Sequence, residues 1–211
     1  MPVPEGPDGV LLVDKPAGIT STRALALCKR ALGARKGGHT GTLDPFATGL
    51  LPLVFGEATK FSRFLLDSDK TYTATLRLGA TSTTGDTEGE IRPGGPVPRG
   101  LAQIGAVSRE LLGDSLQVPP MHSAVRVQGQ RLYDLARQGL EVERVPRAIH
   151  VEFIEILEFS GERLVISLKC SKGTYVRTLA ESLGERLGCG AYLTALRRTE
   201  TGGFRVEEAA T

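Results

Sequence analysis

The chain has 211 residues, of which 40% are apolar and 24% charged, a size and balance suited to one large globular domain. Its net charge of +2 decides little, and its three cysteines (Cys28, Cys170 and Cys189) are too few and too scattered for a disulfide framework or a zinc knuckle. The N-terminus has no basic segment followed by an apolar stretch and no apolar run approaches membrane-spanning length, so a cytoplasmic protein is expected.

Residues 1–8 read as a loose tail, and Val10-Leu11-Leu12-Val13 predicts a short buried strand ended by Asp14-Lys15-Pro16-Ala17-Gly18. Thr20 or Ser21 caps a helix to about Leu32, with Ala24, Cys28 and Ala31 spaced for one buried face and Gly33 as its stop. Residues 37–52 hold four glycines and two prolines in sixteen positions. That composition excludes a regular helix or a central strand and predicts a shaped loop. A short helix over 59–66 follows. Tyr72, Ala74, Leu76 and Leu78 then alternate with Thr71, Thr73, Thr75 and Arg77, the period of a strand covered on one face.

Residues 81–100, rich in Thr, Gly and Pro, predict an ordered surface loop, and Leu101, Ile104, Ser108, Leu111 and Leu112 predict a helix through Leu112. The segment 118–147 is irregular and dense in Arg and Gln, with a helix over 132–138 stopped by Gly139. An insertion of this kind between strands is placed to close over a partner. Residues 149–159 and 163–170 predict a hairpin turning at Ser160-Gly161, with Leu164, Ile166, Leu168 and Cys170 on one face. Val176, Leu179, Ala180, Leu183 and Leu187 define a helix with Thr174 as its cap and Gly188 as its end, and 191–199 predicts a last strand. Strands and helices do not alternate regularly, so the class is mixed α+β.

Asp44 is the only carboxylate within 37–52, and Pro45 biases it toward an extended backbone. A nucleophile or a ligand is presented in this way; a local Asx turn is the alternative. Arg177 falls in the first turn of its helix, where a cation faces the positive end of the macrodipole at a cost of about 0.3–1 kcal/mol. It therefore needs an anion, either Asp44 or an RNA phosphate. Tyr72 and Tyr175 either stack on a base or pack in the core. His39 lacks a second ligand at metal-binding spacing and reads as a phosphate or base contact, so no metal is expected. Neither a Gly-x-Ser-x-Gly elbow nor a Walker-type loop occurs, which disfavours a serine hydrolase and an NTPase. Basic residues recur in three groups: Arg23, Lys29, Arg30, Arg35 and Lys36; those within 126–147; and Lys169, Lys172, Arg177, Arg197 and Arg198. Clusters beside candidate site segments suit a phosphate-bearing partner.

Residues 38–51, G-H-T-G-T-L-D-P-F-A-T-G-L-L, closely resemble motif II of the tRNA pseudouridine-55 synthase (TruB) family. Residues 12–18 resemble its Lys-Pro motif, 65–72 its tyrosine motif, 79–89 its following loop, 170–178 its arginine motif and 193–199 its closing Leu-Arg-Arg strand. The resemblance implies a mostly antiparallel central sheet flanked by helices and long loops, and an RNA-modifying isomerase acting on uridine 55 in the T loop of tRNA. It implies Asp44 as the catalytic aspartate, Tyr72 as the ring stacked on the target base and Arg177 as the partner of Asp44. Tyr175 and Leu196 would line the pocket, His39 would help hold the extruded nucleotide, and Lys15 with Pro16 would support the site. Segment 118–147 would be an RNA-gripping thumb. No cofactor or metal is implied, and the partner is the tRNA T arm, with no membrane and no obligatory protein partner for a monomer.

The chain departs from the family in two places. Residues 121–126, M-H-S-A-V-R, carry His122 and Arg126 where relatives show Tyr and Lys, which predicts altered RNA contacts. Relatives also continue into a PUA-type RNA-binding domain, so a single catalytic domain over 1–211 without that domain is expected. Two rival readings stand beside the enzyme: a non-catalytic tRNA-binding or tRNA-folding protein on the same scaffold, and a guide-RNA-dependent, dyskerin-like enzyme.

Overall fold

The computed structural model describes residues 6–127 and 129–211. The tail expected at 1–8 lies outside the described residues over its first five positions, and 6–8 carry no regular structure. In chain order come strand β1 (Gly9–Lys15), helix α1 (Ser21–Ala31), β2 (Gly37–His39), β3 (Thr48–Phe55), a 3-10 turn (Gly56–Phe61), α2 (Ser62–Asp67) and β4 (Lys70–Leu78). There follow β5 (Ala80–Ser82), β6 (Ile91–Pro93), α3 (Leu101–Glu110), β7 (Gly113–Gln117), β8 (Arg126–Val127), β9 (Gln130–Arg131) and α4 (Leu132–Arg137). The chain then runs through β10 (Arg147–Ser160), β11 (Arg163–Cys170), α5 (Val176–Arg186), β12 (Ala191–Thr201) and β13 (Phe204–Arg205) to a final 3-10 turn (Val206–Glu208). It forms two compact units, Met1–Thr73 with Ala195–Thr211, and Ala74–Thr194; β4 and β12 each run from one into the other.

In the first unit the strand order is β1-β3-β12-β4, with β2 also on β3 and β13 on β12. β1 and β3 are antiparallel from Gly9↔Phe55 to Lys15↔Gly49, while β12 meets β3 in parallel at Arg197↔Thr48 and Arg198↔Gly49. Leu50, Leu51, Leu53, Val54 and Phe55 are buried, the continuous apolar run of a strand covered on both faces. The strand expected to be buried at 10–13 is mostly half-buried, and Val10 is exposed. In α1 the expected face holds only at Ala24 and Cys28: Ala31 is exposed. Thr20 is its N-cap, its side chain accepting from Arg23 N.

The expectation that 37–52 contains no central strand is wrong: β2 lies within it and β3 begins in it, at Thr48, and runs on to Phe55. Pro52 is tolerated for a geometric reason. The Thr40 amide and hydroxyl both donate to Pro52 O, at 3.1 and 3.2 Å. In a strand the N and O of one residue face the same edge, so the missing N–H faces Thr40 and costs β1 no hydrogen bond. On that edge β12 pairs at 48–49 and β2 at 53–55, which leaves Pro52 in the gap. Gly49 marks a close approach: with φ +101°, a Cβ there would lie 2.2 Å from Arg198 O.

In the second unit the order is β12-β4-β11-β10-β7. The β10–β11 hairpin turns at 161–162 and carries two bulges, between Val151 and Phe153 and between Ile156 and Glu158. Leu164, Ile166, Leu168 and Cys170 are buried on β11 as expected, and Leu76, Ile166, Leu168, Leu179 and Leu183 close around the centre of this core. The loop expected over 81–100 is not wholly irregular: β5 and β6 form a small antiparallel pair, Ala80↔Pro93 to Ser82↔Ile91. The cap of α5 is Tyr175, not Thr174, and no side chain caps the helix there. The helix expected at 59–66 is a 3-10 turn followed by α2, and β12 is not the last strand, since β13 follows across Gly202-Gly203. Both glycines have positive φ, as a two-residue hairpin turn requires. Cys170 and Cys189 are buried and Cys28 half-buried, and among the described residues none forms a disulfide. Among the described residues no helix is long and apolar enough to cross a membrane.

Candidate active site

In the first unit the residues around Asp44 form a tied loop. Ala47 N donates to Asp44 O at 3.1 Å, closing a turn with Pro45 at its first corner, the place proline's fixed φ favours. Ser21, at the start of α1, accepts from Leu43 N at 2.8 Å and donates back to Leu43 O at 3.1 Å. Gly18 N donates to Pro45 O at 2.8 Å. The ties to Leu43 and Pro45 come from 18–21, the turn into α1 that the Thr20 cap sets. Asp44 itself is half-buried.

Lys15 ends β1 with its side chain fully buried. Its ammonium donates to Pro16 O and Ile19 O, both at 2.8 Å, and to Pro45 O at 3.4 Å. Three protons thus meet three carbonyls. Burial pulls the Lys15 ammonium below the usual lysine range and Arg198 adds to that, while the charge on Asp44 acts in the opposite direction. The supporting role expected of Lys15 therefore has a physical form: a buried cation tied to the residue next to Asp44 and electrically coupled to Asp44.

His39 ends β2, and its Nδ1 is buried with no hydrogen-bond partner among the described residues. Burial, reinforced by Arg198, holds the imidazole below its usual pKa of 6.5. It therefore takes up its proton at a lower pH in the folded protein than in the unfolded chain, which protonates at about 6.5. Between the two values the unfolded state binds more protons, so stability is complete above about pH 6.5 and falls as pH drops through the folded value. In urea unfolding, the loss of midpoint between about pH 7.5 and about pH 5.5 is expected to be smaller for His39→Gln than for the unaltered protein.

Tyr72 and Leu196 are buried on β4 and β12. Lys70, two residues before Tyr72, is also buried and donates to Leu65 O, Leu66 O and Ser68 O, which closes the C-terminal end of α2. On β12, Arg197 forms a two-pronged pair with Asp14 of β1 at 3.0 and 2.6 Å. Arg198, one residue on, is buried and donates to Leu50 O and Gly41 O. The sequence places Arg198 in a basic cluster and in the Leu-Arg-Arg strand that resembles the family's, and assigns it no role of its own. The glycines on either side of Asp44, Gly41 and Gly49, leave room for it, but only the folded contacts link them to Arg198.

In the second unit Arg177 is buried in the first turn of α5, not a surface arginine. Its guanidinium lies 3.5 Å from the carboxylate of buried Asp86 and donates to Thr84 O at 3.0 Å and His122 O at 2.8 Å. Asp86 supplies an anion that the helix N-terminus calls for, and sequence reasoning missed it within the quoted 79–89 loop. Asp86 is itself held by Glu88 N at 2.9 Å. The His122 departure leaves the bond to Arg177 unaffected, because that bond uses the backbone carbonyl. Next to this group, burial pushes the Glu181 carboxyl above the usual range while Arg177 opposes the shift. Tyr175 is half-buried, and the Gln117 side-chain amide brackets its backbone: Oε1 accepts from Tyr175 N at 2.8 Å and Nε2 donates to Tyr175 O at 3.1 Å. Among the described residues no group of three or more His, Cys, Asp or Glu is arranged to hold a metal ion.

Comparison with known proteins bears on this geometry. Residues 29–176 match the model of the TruB family pseudouridylate synthase N-terminal domain, and residues 177–211 that of the tRNA pseudouridylate synthase B C-terminal domain. The chain is 54% identical over 210 residues to tRNA pseudouridine synthase B of Thiobacillus denitrificans, spanning 100% of this chain and 70% of that protein. It is 55% identical over 204 residues to the protein of the same name from Dechloromonas aromatica, spanning 97% and 68%. Among solved structures, a chain from the crystal structure of a Cbf5-Nop10-Gar1 complex superposes with a TM-score of 0.74 at 34% identity, over 93% of this chain and about half (50%) of that one. Fold and matched models together place the chain among the pseudouridylate synthases. Within that class it belongs to the TruB family.

Proposed function

We propose that this chain is an isomerase that converts uridine 55 in the T loop of tRNA to pseudouridine, acting as a cytoplasmic monomer without guide RNA. The observation that carries the reading is the Asp44 turn, which presents one half-buried carboxylate on a loop tied to 18–21 and backed by the buried Lys15 ammonium. Relatives more than half identical carry the name tRNA pseudouridine synthase B, which supports tRNA as the substrate.

The reaction breaks the C1′–N1 bond of a uridine, turns the freed base and rejoins it through C5. Atoms and electrons balance within the nucleotide, so the conversion requires no cofactor or energy source. It needs a carboxylate to attack or to stabilise the sugar as the base leaves, the role assigned to Asp44. It also needs a closed aromatic pocket to retain the loose uracil, reached by flipping the nucleotide at a cost of a few kcal/mol, less from a loop than from a duplex. Tyr72 is assigned to stack on the base, Tyr175 and Leu196 to line the pocket, and His39 to hold the extruded nucleotide. Arg177 enters by family resemblance as the guanidinium that keeps Asp44 ionised. Segment 118–147, with the β8–β9 hairpin and α4, is assigned as the thumb that grips RNA.

One finding favours a second reading. The solved chain at 34% identity belongs to a complex with Nop10 and Gar1, so dependence on partners is a real alternative. Incubating the lone protein with a bare tRNA transcript decides between them, with pseudouridine mapped by mass spectrometry. Conversion confined to the T-loop position is expected; an inert lone protein would favour the partner-dependent reading, and conversion elsewhere would overturn the site assignment.

A further inference from the structure

Arg198 has no part in the reading above, yet it is among the largest fully buried side chains. Its Nε donates to Leu50 O at 2.7 Å and its Nη2 to Gly41 O at 3.1 Å. Those two carbonyls bracket the loop that carries Asp44. The glycines at the loop's margins are cut to the same residue. A Cβ on Gly41 would lie 3.2 Å from Arg198 Nη1, and one on Gly49 would lie 2.2 Å from Arg198 O and 2.7 Å from Arg198 N. One glycine therefore clears the side chain of Arg198 and the other clears its backbone.

A guanidinium is planar, with donors in a fixed fork, so bonds to two carbonyls set the span between them as well as binding each. A lysine ammonium can donate to several carbonyls, as Lys15 does, but it is a single rotatable point donor and lacks the rigid two-point fork that sets their separation. Removing a guanidinium from water is costly, and here its hydrogen bonds, among the described residues, go to backbone carbonyls. A leucine or methionine would fill the volume without that cost, so packing alone does not account for arginine at this position. On its other side β12 is anchored by the Arg197–Asp14 pair, which gives the fork a rigid base.

We propose that Arg198 is a positioning residue for Asp44: its buried guanidinium sets the span of residues 41–50 and so fixes where the carboxylate points. The catalytic consequence rests on the proposed function; the control of loop geometry does not. The test uses Arg198→Lys in the full chain, which keeps the charge and loses the fork. Two quantities are measured: hydrogen exchange at the Leu43 and Ala47 amides, whose bonds to Ser21 Oγ and Asp44 O report the loop, and single-turnover pseudouridine formation on saturating tRNA transcript. Exchange at both amides is expected to rise at least about 10-fold while the β11 amides keep their native protection. Conversion is expected to slow about 100-fold, the effect of a displaced catalytic group, with tRNA affinity unchanged. Unchanged exchange at Leu43 and Ala47 would overturn the proposal, as would a rise shared equally by β11, which marks general destabilisation, or faster loop exchange with conversion at the native rate. If the unaltered protein converts no uridine, the functional reading fails, and the exchange data still decide whether Arg198 sets the loop.

Discussion

Replacing Asp44 by Asn is expected to abolish pseudouridine formation, with a loss of at least about 10⁴-fold in single turnover, while tRNA binding and the fold persist. The substitution is nearly isosteric and leaves the backbone turn from Asp44 O to Ala47 N intact. What disappears is the negative charge, and with it the only carboxylate of the loop. Binding survives because affinity for tRNA comes mainly from contacts between basic groups and phosphates, which the change leaves in place. The loop also loses the anion that opposes burial at Lys15, so the Lys15 ammonium is expected to titrate still lower in the variant. Chemical mapping of pseudouridine beside a filter-binding assay separates the two functions. Undiminished conversion would remove Asp44 from the reaction, and lost binding with a native fold would mean that the residue grips RNA instead.

The second large effect is steric. Gly49→Ala is expected to destabilise the protein by about 4 kcal/mol, the sum of a positive-φ penalty and a forced backbone shift. At φ +101° an L side chain is strained in any case. Here the added methyl also meets the oxygen, nitrogen and carbonyl carbon of Arg198 at 2.2, 2.7 and 3.0 Å, and main-chain atoms of a paired strand cannot rotate aside. For a chain of this size the melting temperature should fall by roughly 10 °C. Calorimetry on Gly38→Ala supplies the control, since a Cβ there meets only a Val54 methyl at an ordinary 3.8 Å. Equal melting of the two variants would show that the strands part readily at Gly49.

These expectations mark what was legible in the chain and what was not. Features written into short-range pattern were readable: the alternation of β4, the helical spacing of α5, the Thr20 cap, and the turn between β10 and β11. The errors came where a partner far along the chain decides the outcome. Glycine and proline in 37–52 argued for a loop, but Gly49 is there to admit the backbone of Arg198 and Pro52 aims its missing donor at a gap between strands. The place of Arg177 on its helix calls for an anion, for which the sequence offers Asp44 or an RNA phosphate; Asp86, which also meets it in the folded chain, stands 91 positions earlier, and nothing local marks it. Lys15 was assigned a supporting role by resemblance; that all three of its protons meet carbonyls is visible only after folding.

The Gln117 amide around Tyr175 has a broader consequence. By accepting from the amide and donating to the carbonyl of one residue, it acts as a one-residue stretch of adjoining strand and locks the entry to α5 through main-chain atoms alone. The phenol contributes nothing to that lock. Position 175 is thus a socket: other side chains can be placed there while the helix start that carries Arg177 is left undisturbed, which makes it the position at which the pocket role proposed for Tyr175 can be tested without disturbing α5.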